Sequence, residues 1–260
     1  MDIKTLLEGT IRGEVKNDAE TLNINSEDTS IFHIQPECVV CPLDTADVQA
    51  LVRAAAEHKG FFTLTARAAG TDMSGGPLTS SVVVSFTEHF NKIISVTEHE
   101  AVVQPGVYYR DFEKETLKHG VILPCYTASR ELNTVGGMVA NNSAGEKSLT
   151  YGKTERWVRA LKVVLSDGNE YSFRKLSRPE FDAKKSQNDF EGEFYRRIDT
   201  CITQHHTTIV AAKPPVSKNS AGYNIWNVWN EGEDTFDLTQ LFVGSQGTLG
   251  LITEITFGLL

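Results

Sequence analysis

Residues 129–152 read SRELNTVGGMVANNSAGEKSLTYG. Four glycines, Gly136, Gly137, Gly145 and Gly152, stand here among Ser and Thr hydroxyls. Glycine in such a setting allows positive φ and the close approach of another backbone or of a ligand. Successive free backbone N–H groups in such loops form a concave nest for anions. Two further segments share the composition: ARAAGTDMSGG (66–76), with Gly70, Gly75 and Gly76, and GSQGTLG (244–250), with Gly244, Gly247 and Gly250. The three hold 10 of the 20 glycines, so the signal lies in their clustering and not in glycine content. Each segment adjoins a predicted strand or helix end and carries hydroxyl donors: Thr71 and Ser74, Thr134 and Ser143, Ser245 and Thr248. One such loop reads as an ordinary tight turn; three predict one large anionic ligand gripped from several sides. The spacing of Gly244, Gly247 and Gly250 is G-x-x-G-x-x-G. No G-x-G-x-x-G and no G-x-x-x-x-G-K-[ST] occurs, so the nest is of neither the Rossmann nor the Walker kind.

Outward from these loops, the pattern is mixed. Residues 1–30 read as an N-terminal segment of one or two short amphipathic helices. CVVC (38–41) reads as a buried strand ended by Pro42. Asp44 or Thr45 caps a helix whose apolar residues Val48, Leu51, Val52 and Ala55 recur at helical spacing, with Gly60 as its stop. Strands are predicted over 61–65, 82–86, 93–96, 101–104 and 157–165, and a helix over 108–119. The turn SDGN (166–169) returns a strand over 170–173. Residues 178–234 read as polar and irregular with one helix over 193–205; 237–242 reads as helical and 251–257 as a closing strand. The whole is α+β, in two α/β subdomains, 31–90 and 91–260: a small βαβ-containing unit, and a larger mixed, mostly antiparallel sheet flanked by helices.

The chain of 260 residues carries Lys+Arg 25 against Asp+Glu 34, a net charge of −9, which argues against nucleic-acid binding. No apolar run reaches membrane-spanning length and no secretory signal opens the chain. Four cysteines, Cys38, Cys41, Cys125 and Cys201, are too few for a disulfide scaffold and fit a reducing cytosol, so a cytoplasmic location is expected.

The glycine loops and their surroundings resemble the FAD-binding domain of the vanillyl-alcohol oxidase / p-cresol methylhydroxylase (PCMH) superfamily, in the branch of D-lactate dehydrogenase, glycolate oxidase and D-2-hydroxyglutarate dehydrogenase. The resemblance runs in order through PECVVCPLDTADVQALV, ARAAGTDMSGG, VVQPGV, TVGGMVANNSAG, YGKT, LKVVLSDG and LFVGSQGTLGLITEITF, from Pro36 to Leu260. It implies a PCMH-type fold and an FAD cofactor. Arg67, Ala68, Ala69, Gly70, Thr71, Asp72, Ser74 and Gly75 resemble the loop that holds the pyrophosphate through backbone N–H groups. Ser129, Thr134, Gly136, Gly137, Asn142, Ser143, Gly145, Tyr151 and Gly152 resemble the segment along the pyrophosphate, ribityl chain and flavin edge. Gly247, Thr248 and Ile252 resemble the part beside the ribityl–adenosine portion. Lys218, Asn219 and Tyr223, in KNSAGY (218–223), resemble a motif on the substrate side of the flavin.

The implied reaction is oxidation of a small 2-hydroxy acid by hydride transfer from the carbinol carbon to flavin N5. In relatives the base and the carboxylate clamp come from a substrate domain that follows the FAD domain; no residue here is assigned as catalytic, and the chain alone is expected to be nearly inactive. Thr71 stands where covalent flavoproteins of the superfamily carry a flavin-linked His, so the FAD is expected to be non-covalent. Ala68 and Ala69 replace frequent glycines, which requires negative φ at both; Ala144 replaces another, and Gln246 stands where an acidic residue is usual. Two alternatives are a UDP-N-acetylenolpyruvoylglucosamine reductase-like flavoenzyme and a non-catalytic flavin-binding module. Cys38 and Cys41 have redox-pair spacing but alternate across a strand, and are read as packing. The histidines show no metal-ligand spacing and no metal is expected. His205, His206 and the acidic run 231–234 are read as solvated surface.

Overall fold

Strands buried on both faces read as unbroken apolar runs, and CVVC and VVV are such runs. The computed structural model describes residues 2–216 and 218–260; Met1, at the head of the expected N-terminal segment, and Ser217, within the stretch 178–234, lie outside the described residues. Helix α1 (Ile3–Glu8) starts where the Asp2 carboxylate accepts the Thr5 N–H at 2.8 Å. Strand β1 (Glu14–Lys16) and helix α2 (Ala19–Asn25) follow. Next come β2 (Cys38–Cys41), α3 (Thr45–Glu57), β3 (Leu64–Arg67) and β4 (Val82–Ser85). They form a sheet ordered β1-β2-β4-β3, in which β4 runs parallel to both β2 and β3, and β1 is antiparallel to β2.

Asp44 caps α3, its carboxylate accepting the Ala46 N–H at 2.9 Å, and the helix buries Val48, Leu51 and Ala54 on the sheet. Cys38 and Val40 join that core, whereas Val39 and Cys41 pack with Val83 and Leu22 on the opposite face. The two thiols therefore cannot meet. Strand β1 was not expected; three residues, EVK, are too few to show a period.

The second sheet comprises β5 (Ile93–Val96), β6 (Glu100–Val103), β7 (Val158–Val164), β8 (Glu170–Ser177), β9 (Trp229–Asn230), β10 (Thr235–Asp237) and β11 (Leu251–Gly258). Its order is β5-β6-β11-β7-β8-β10-β9, antiparallel throughout. The last strand thus lies inside the sheet, between β6 and β7, where its alternating Leu251, Thr253, Ile255 and Phe257 are buried. Helices α4 (Tyr109–Lys118), α5 (Val135–Ala140) and α6 (Ser148–Tyr151) separate β6 from β7.

Residues 178–234 are more ordered than expected, with α7 (Arg178–Lys185), α8 (Phe190–Gln204) and α9 (His206–Ala212). The starts of α7 and α8 are legible in retrospect: Ser177 and Glu180 form a capping box around Pro179, and Asp189 caps α8. Phe181 of α7 is fully buried and stacks on Phe236 of β10 at 4.1 Å, which holds the helix to the sheet. The segment 237–242 splits between β10 and the single turn α10 (Thr239–Phe242). All strands of the small sheet precede residue 86 and all those of the large one follow residue 92. Val164 and Leu251 of the large sheet bury in the small sheet's core, and Arg53 of α3 donates to the Gly168 carbonyl at 2.8 Å in the β7–β8 turn.

Candidate functional site

A cleft opens between the two sheets. It lies at the ends of β3 and β4, past the end of β6, along α5 and at the start of β11. Each glycine segment contributes to it. Its apolar lining includes Phe86, Pro105, Met138 and Ile252.

The first loop leaves β3. The N–H groups of residues 68–71 donate to no protein acceptor among the described residues, whereas those of Ser74 and Gly76 bond the Asp72 carboxylate at 2.9 and 2.8 Å. Gly75 donates to Asp28 at 3.1 Å. The N–H groups of Asp72 and Met73 also lack an acceptor among the described residues, so the open donors on cleft-lining residues are those of Ala68, Ala69, Gly70, Thr71 and Asp72, five in succession. Neither Ala68 nor Ala69 has positive φ, so alanine is unstrained at both; Gly70, at φ 68°, needs glycine.

The second segment is not a loop throughout. Thr134 caps α5, and the helix N-terminal N–H groups are already used: Val135 to the Val107 carbonyl, Gly136 to the Pro105 carbonyl (both 2.9 Å), Gly137 to the Thr134 hydroxyl at 3.4 Å. Gly136 and Gly137 line the cleft without free donors. Their value is closeness: a Cβ on Gly136 would lie 2.6 Å from the Pro105 carbonyl oxygen, and one on Gly137 would touch Ala68. Gly145 fits against the Tyr126 carbonyl, where no Cβ has room.

A chain of polar side chains ties the three segments together. The Asn141 carboxamide, at the end of α5, donates to Asp72 at 2.8 Å, and Gln246 donates to the Asn141 oxygen at 3.1 Å and to Ser74 at 3.4 Å. The Gln246 backbone, at φ 52°, donates to the Ala140 carbonyl at 3.0 Å. Burial pushes the Asp72 carboxyl upward, but the donors on Gly76, Ser74 and Asn141 outweigh it and hold it below the usual carboxylate range. Gln246 is therefore a linking residue here, where an acidic side chain would face Asp72 and Asn141 without an N–H to offer.

Of the residues singled out from sequence, Arg67, Ala68, Ala69, Gly70, Thr71, Asp72, Ser129, Thr134, Gly136, Gly137, Ser143, Gly247 and Ile252 line the cleft. Ser74, Gly75, Asn142, Gly145, Tyr151, Gly152 and Thr248 do not line it. Asn142, buried at φ 45°, turns its side chain to Glu155 instead. Its neighbour Asn141, which sequence reasoning passed over, faces the cleft. Without α5 in view, nothing in the sequence distinguishes the two asparagines. Pro105 and Phe86, outside the glycine segments, were also missed, as was Asn133 within the second; the Asn133 Oδ1 is buried without a protein partner among the described residues.

The segment 218–223 sits beside the second and third loops. Lys153 donates to the Asn219 carbonyl and pairs with Glu155 at 3.0 Å; Ser220 donates to the Asn142 carbonyl at 3.3 Å; the Tyr223 and Thr248 hydroxyls lie 2.8 Å apart. Lys218 is exposed. Burial pushes the Cys38 thiol up to about 11, and the Cys41 and Cys125 thiols up to about 12, so all three are unreactive packing groups. No described helix is long and apolar enough to cross a membrane.

The family described as an FAD binding domain matches residues 36–174, more than half of the chain. D-2-hydroxyglutarate dehydrogenase of Escherichia coli (strain K12) is 30% identical over 232 residues, 88% of this chain and 23% of the relative. Glycolate oxidase subunit GlcD of Bacillus subtilis (strain 168) is 28% identical over 87% of this chain and 37% of its own length. D-lactate dehydrogenase of Anaerostipes hadrus is 30% identical over 85% and 36%. The chain thus spans well under half the length of these relatives. Among solved structures, alkyldihydroxyacetonephosphate synthase superposes with a TM-score of 0.63 at 20% identity, covering 94% of this chain and 38% of that one, which establishes a shared fold. A run of unpaired N–H groups, apolar lining from Phe86, Pro105, Met138 and Ile252, and glycines in the same cleft suit a dinucleotide. With the match over residues 36–174, they make this chain a member of the FAD-binding-domain family, with the fold of the PCMH-type flavoproteins.

Proposed function

We propose that this chain binds FAD non-covalently in the cleft and serves the oxidation of a 2-hydroxy acid of the D-2-hydroxyglutarate, glycolate or D-lactate type. The observation that carries it is the run of unpaired N–H groups at residues 68–72, on residues that line a cleft built from all three glycine segments. Bound FAD supplies the two-electron acceptor for converting a carbinol carbon to a ketone.

The residues of the chain bind and orient. The N–H groups of Ala68 to Thr71 receive pyrophosphate oxygens, as nests do. Gly137 leaves room for the cofactor beside α5, and Gly136 lets Pro105 close on the helix. Phe86, Pro105, Met138 and Ile252 exclude water where they line the cleft. Lys218 is exposed and stands next to a segment tied to the second and third loops, and supplies a cation on the substrate side. Thr71 offers no nucleophile for flavin linkage of the histidine kind.

Reconstitution tests both halves. Protein incubated with FAD and passed through gel filtration should carry the flavin absorbance, and acid precipitation should release it to the supernatant. Flavin that stays with the pellet overturns the non-covalent assignment; no retained flavin overturns the site. Dye reduction by protein isolated from its source, with D-2-hydroxyglutarate, glycolate and D-lactate in turn, tests the substrate class. Reduction by none of the three overturns that class while leaving FAD binding intact.

A further inference from the structure

The family match begins at residue 36, yet the segment ahead of it holds the first glycine loop at both ends of its open N–H run. At the near end, Arg67 is buried, and its guanidinium points into the C-terminal end of α2. It donates to the Glu27 carbonyl at 2.7 Å and, at 3.4 Å, to those of Asn25 and Ile24. Carbonyls at a helix C-terminus lack intrahelical partners, so these are natural acceptors for it. At the far end, the Asp72 carbonyl accepts the Thr29 N–H at 3.0 Å and the Thr29 hydroxyl at 2.7 Å. Between these anchors lie the unpaired N–H groups of residues 68–71.

The guanidinium also lies against the run. A Cβ built on Gly70 would sit 2.9 Å from Arg67 Cζ and 3.3 Å from Nε, so the cation lies beside Gly70, within the stretch whose N–H groups are unpaired. Its hydrogen-bond partners are carbonyls. The nearest opposite charge, Asp28, is occupied by the N–H groups of Gly75 and Ser30 at 3.1 and 2.8 Å. Arginine keeps its charge when buried, and a charge removed from water acts more strongly on neighbours than one in solvent.

We propose that Arg67 is a positioning residue for the pyrophosphate of FAD: anchored by the carbonyls of Ile24, Asn25 and Glu27, its guanidinium fixes the N–H run that begins at Ala68 and sets positive charge beside it. The inference rests on the FAD reading of the cleft and extends the cofactor site to a segment outside the matched family region. Its consequence is chemical selectivity. A charge beside a pyrophosphate nest strengthens ligands that carry the diphosphate and leaves the isoalloxazine and ribityl contacts alone.

The test compares FAD with riboflavin, which lacks phosphate, on flavin-stripped protein. FAD affinity is read by quenching of flavin fluorescence, and riboflavin affinity by displacement of FAD. Arg67→Gln should weaken FAD about tenfold or more, the loss of a charged hydrogen-bonding group, and change riboflavin by less than about twofold. Arg67→Lys keeps the charge but not the fork, and should fall between. Thr29→Val, which removes one far-end anchor from an exposed side chain, should produce a smaller loss of the same FAD-selective kind. Equal losses for FAD and riboflavin, or no loss for FAD, overturn the proposal. If Arg67→Gln does not fold, Arg67→Lys and Thr29→Val decide by the same criterion. Failure of the unaltered protein to bind FAD is a different result, which overturns the reading of the cleft and the proposal with it.

Discussion

Replacing Asp72 by alanine would release the joint that makes three separate loops one site. In the folded chain its carboxylate accepts the Ser74 N–H (2.9 Å), the Ser74 hydroxyl, the Gly76 N–H and the Asn141 carboxamide (each 2.8 Å). A hydrogen bond to a charged group contributes about 1.5–3 kcal/mol when buried. Asp72 is half-buried and water reaches the groups that alanine would free, so the four together are worth roughly 2 kcal/mol and not their sum. Asp72→Ala should therefore shift the urea midpoint by about that energy at unchanged m, and weaken FAD by about tenfold as the loops separate. Asp72→Asn should fall between. The backbone N–H groups of Ser74 and Gly76 cannot turn, so they claim the single carboxamide oxygen. The new NH₂ then faces the NH₂ of Asn141, and both Asn141 and Gln246 must flip. The pH dependence follows from the sign of the shift. The folded carboxyl titrates below its unfolded value, so its contribution is complete above about pH 4 and fades as the pH falls through the lower, folded pKa. The stability gap between the unaltered protein and the Asp72→Asn variant should be constant near neutrality and shrink in acid. An alanine variant with the original urea midpoint and FAD affinity would refute the clasp, and a gap that persists undiminished to about pH 2 would refute its ionic character.

Other consequences are equally direct. Gly136→Ala gains about 1 kcal/mol of helix propensity but drives a methyl to 2.6 Å from the Pro105 oxygen, so α5 must retreat; a net loss of about 1–2 kcal/mol is expected in urea, with weaker FAD binding. Phe181→Ala removes a fully buried ring stacked on Phe236 and should lower stability by about 3–5 kcal/mol by the same measurement, leaving FAD affinity nearly intact because the cleft is elsewhere. Of the four cysteines, only Cys201 is exposed, so a thiol reagent should titrate one group rapidly in native protein and four after unfolding; rapid reaction of Cys38 or Cys41 would contradict their burial. Glu155→Gln removes the partner of Lys153 in the cluster that holds residues 219–224, and should speed proteolytic cleavage there at unchanged global stability within about 0.5 kcal/mol.

Local chemistry made much of the architecture readable. Asp44 and the apolar spacing after it specify α3, SDGN specifies the β7–β8 turn, and unbroken apolar runs specify β2 and β4. Each signal resides within a dozen residues and survives without its neighbours. Strand β1 and helices α7 and α9 escaped for the opposite reasons. The first is too short to have a period; α7 is largely polar, held by its capping box and by Phe181 against Phe236 of a distant strand, and α9 has no side-chain cap to mark its start.

By itself, the sequence determined that three glycine-rich segments exist, that they carry the residue types to hold an anionic ligand, and that their order along the chain is that of an FAD-binding family. Only the tertiary structure decided which groups are free to do so. Gln246 meets Ser74 across 172 residues and Asn141 across 105, and no local spacing encodes such partners. The same holds for the phase of α5, which turns Asn141 to the cleft and Asn142 to Glu155, and for Arg67, whose guanidinium answers α2 while its neighbours' N–H groups answer the ligand. Backbone conformation is set by residues close in sequence. The hydrogen-bond partner of a polar group is set by whatever packing brings beside it, and in this chain that is the meeting of two sheets.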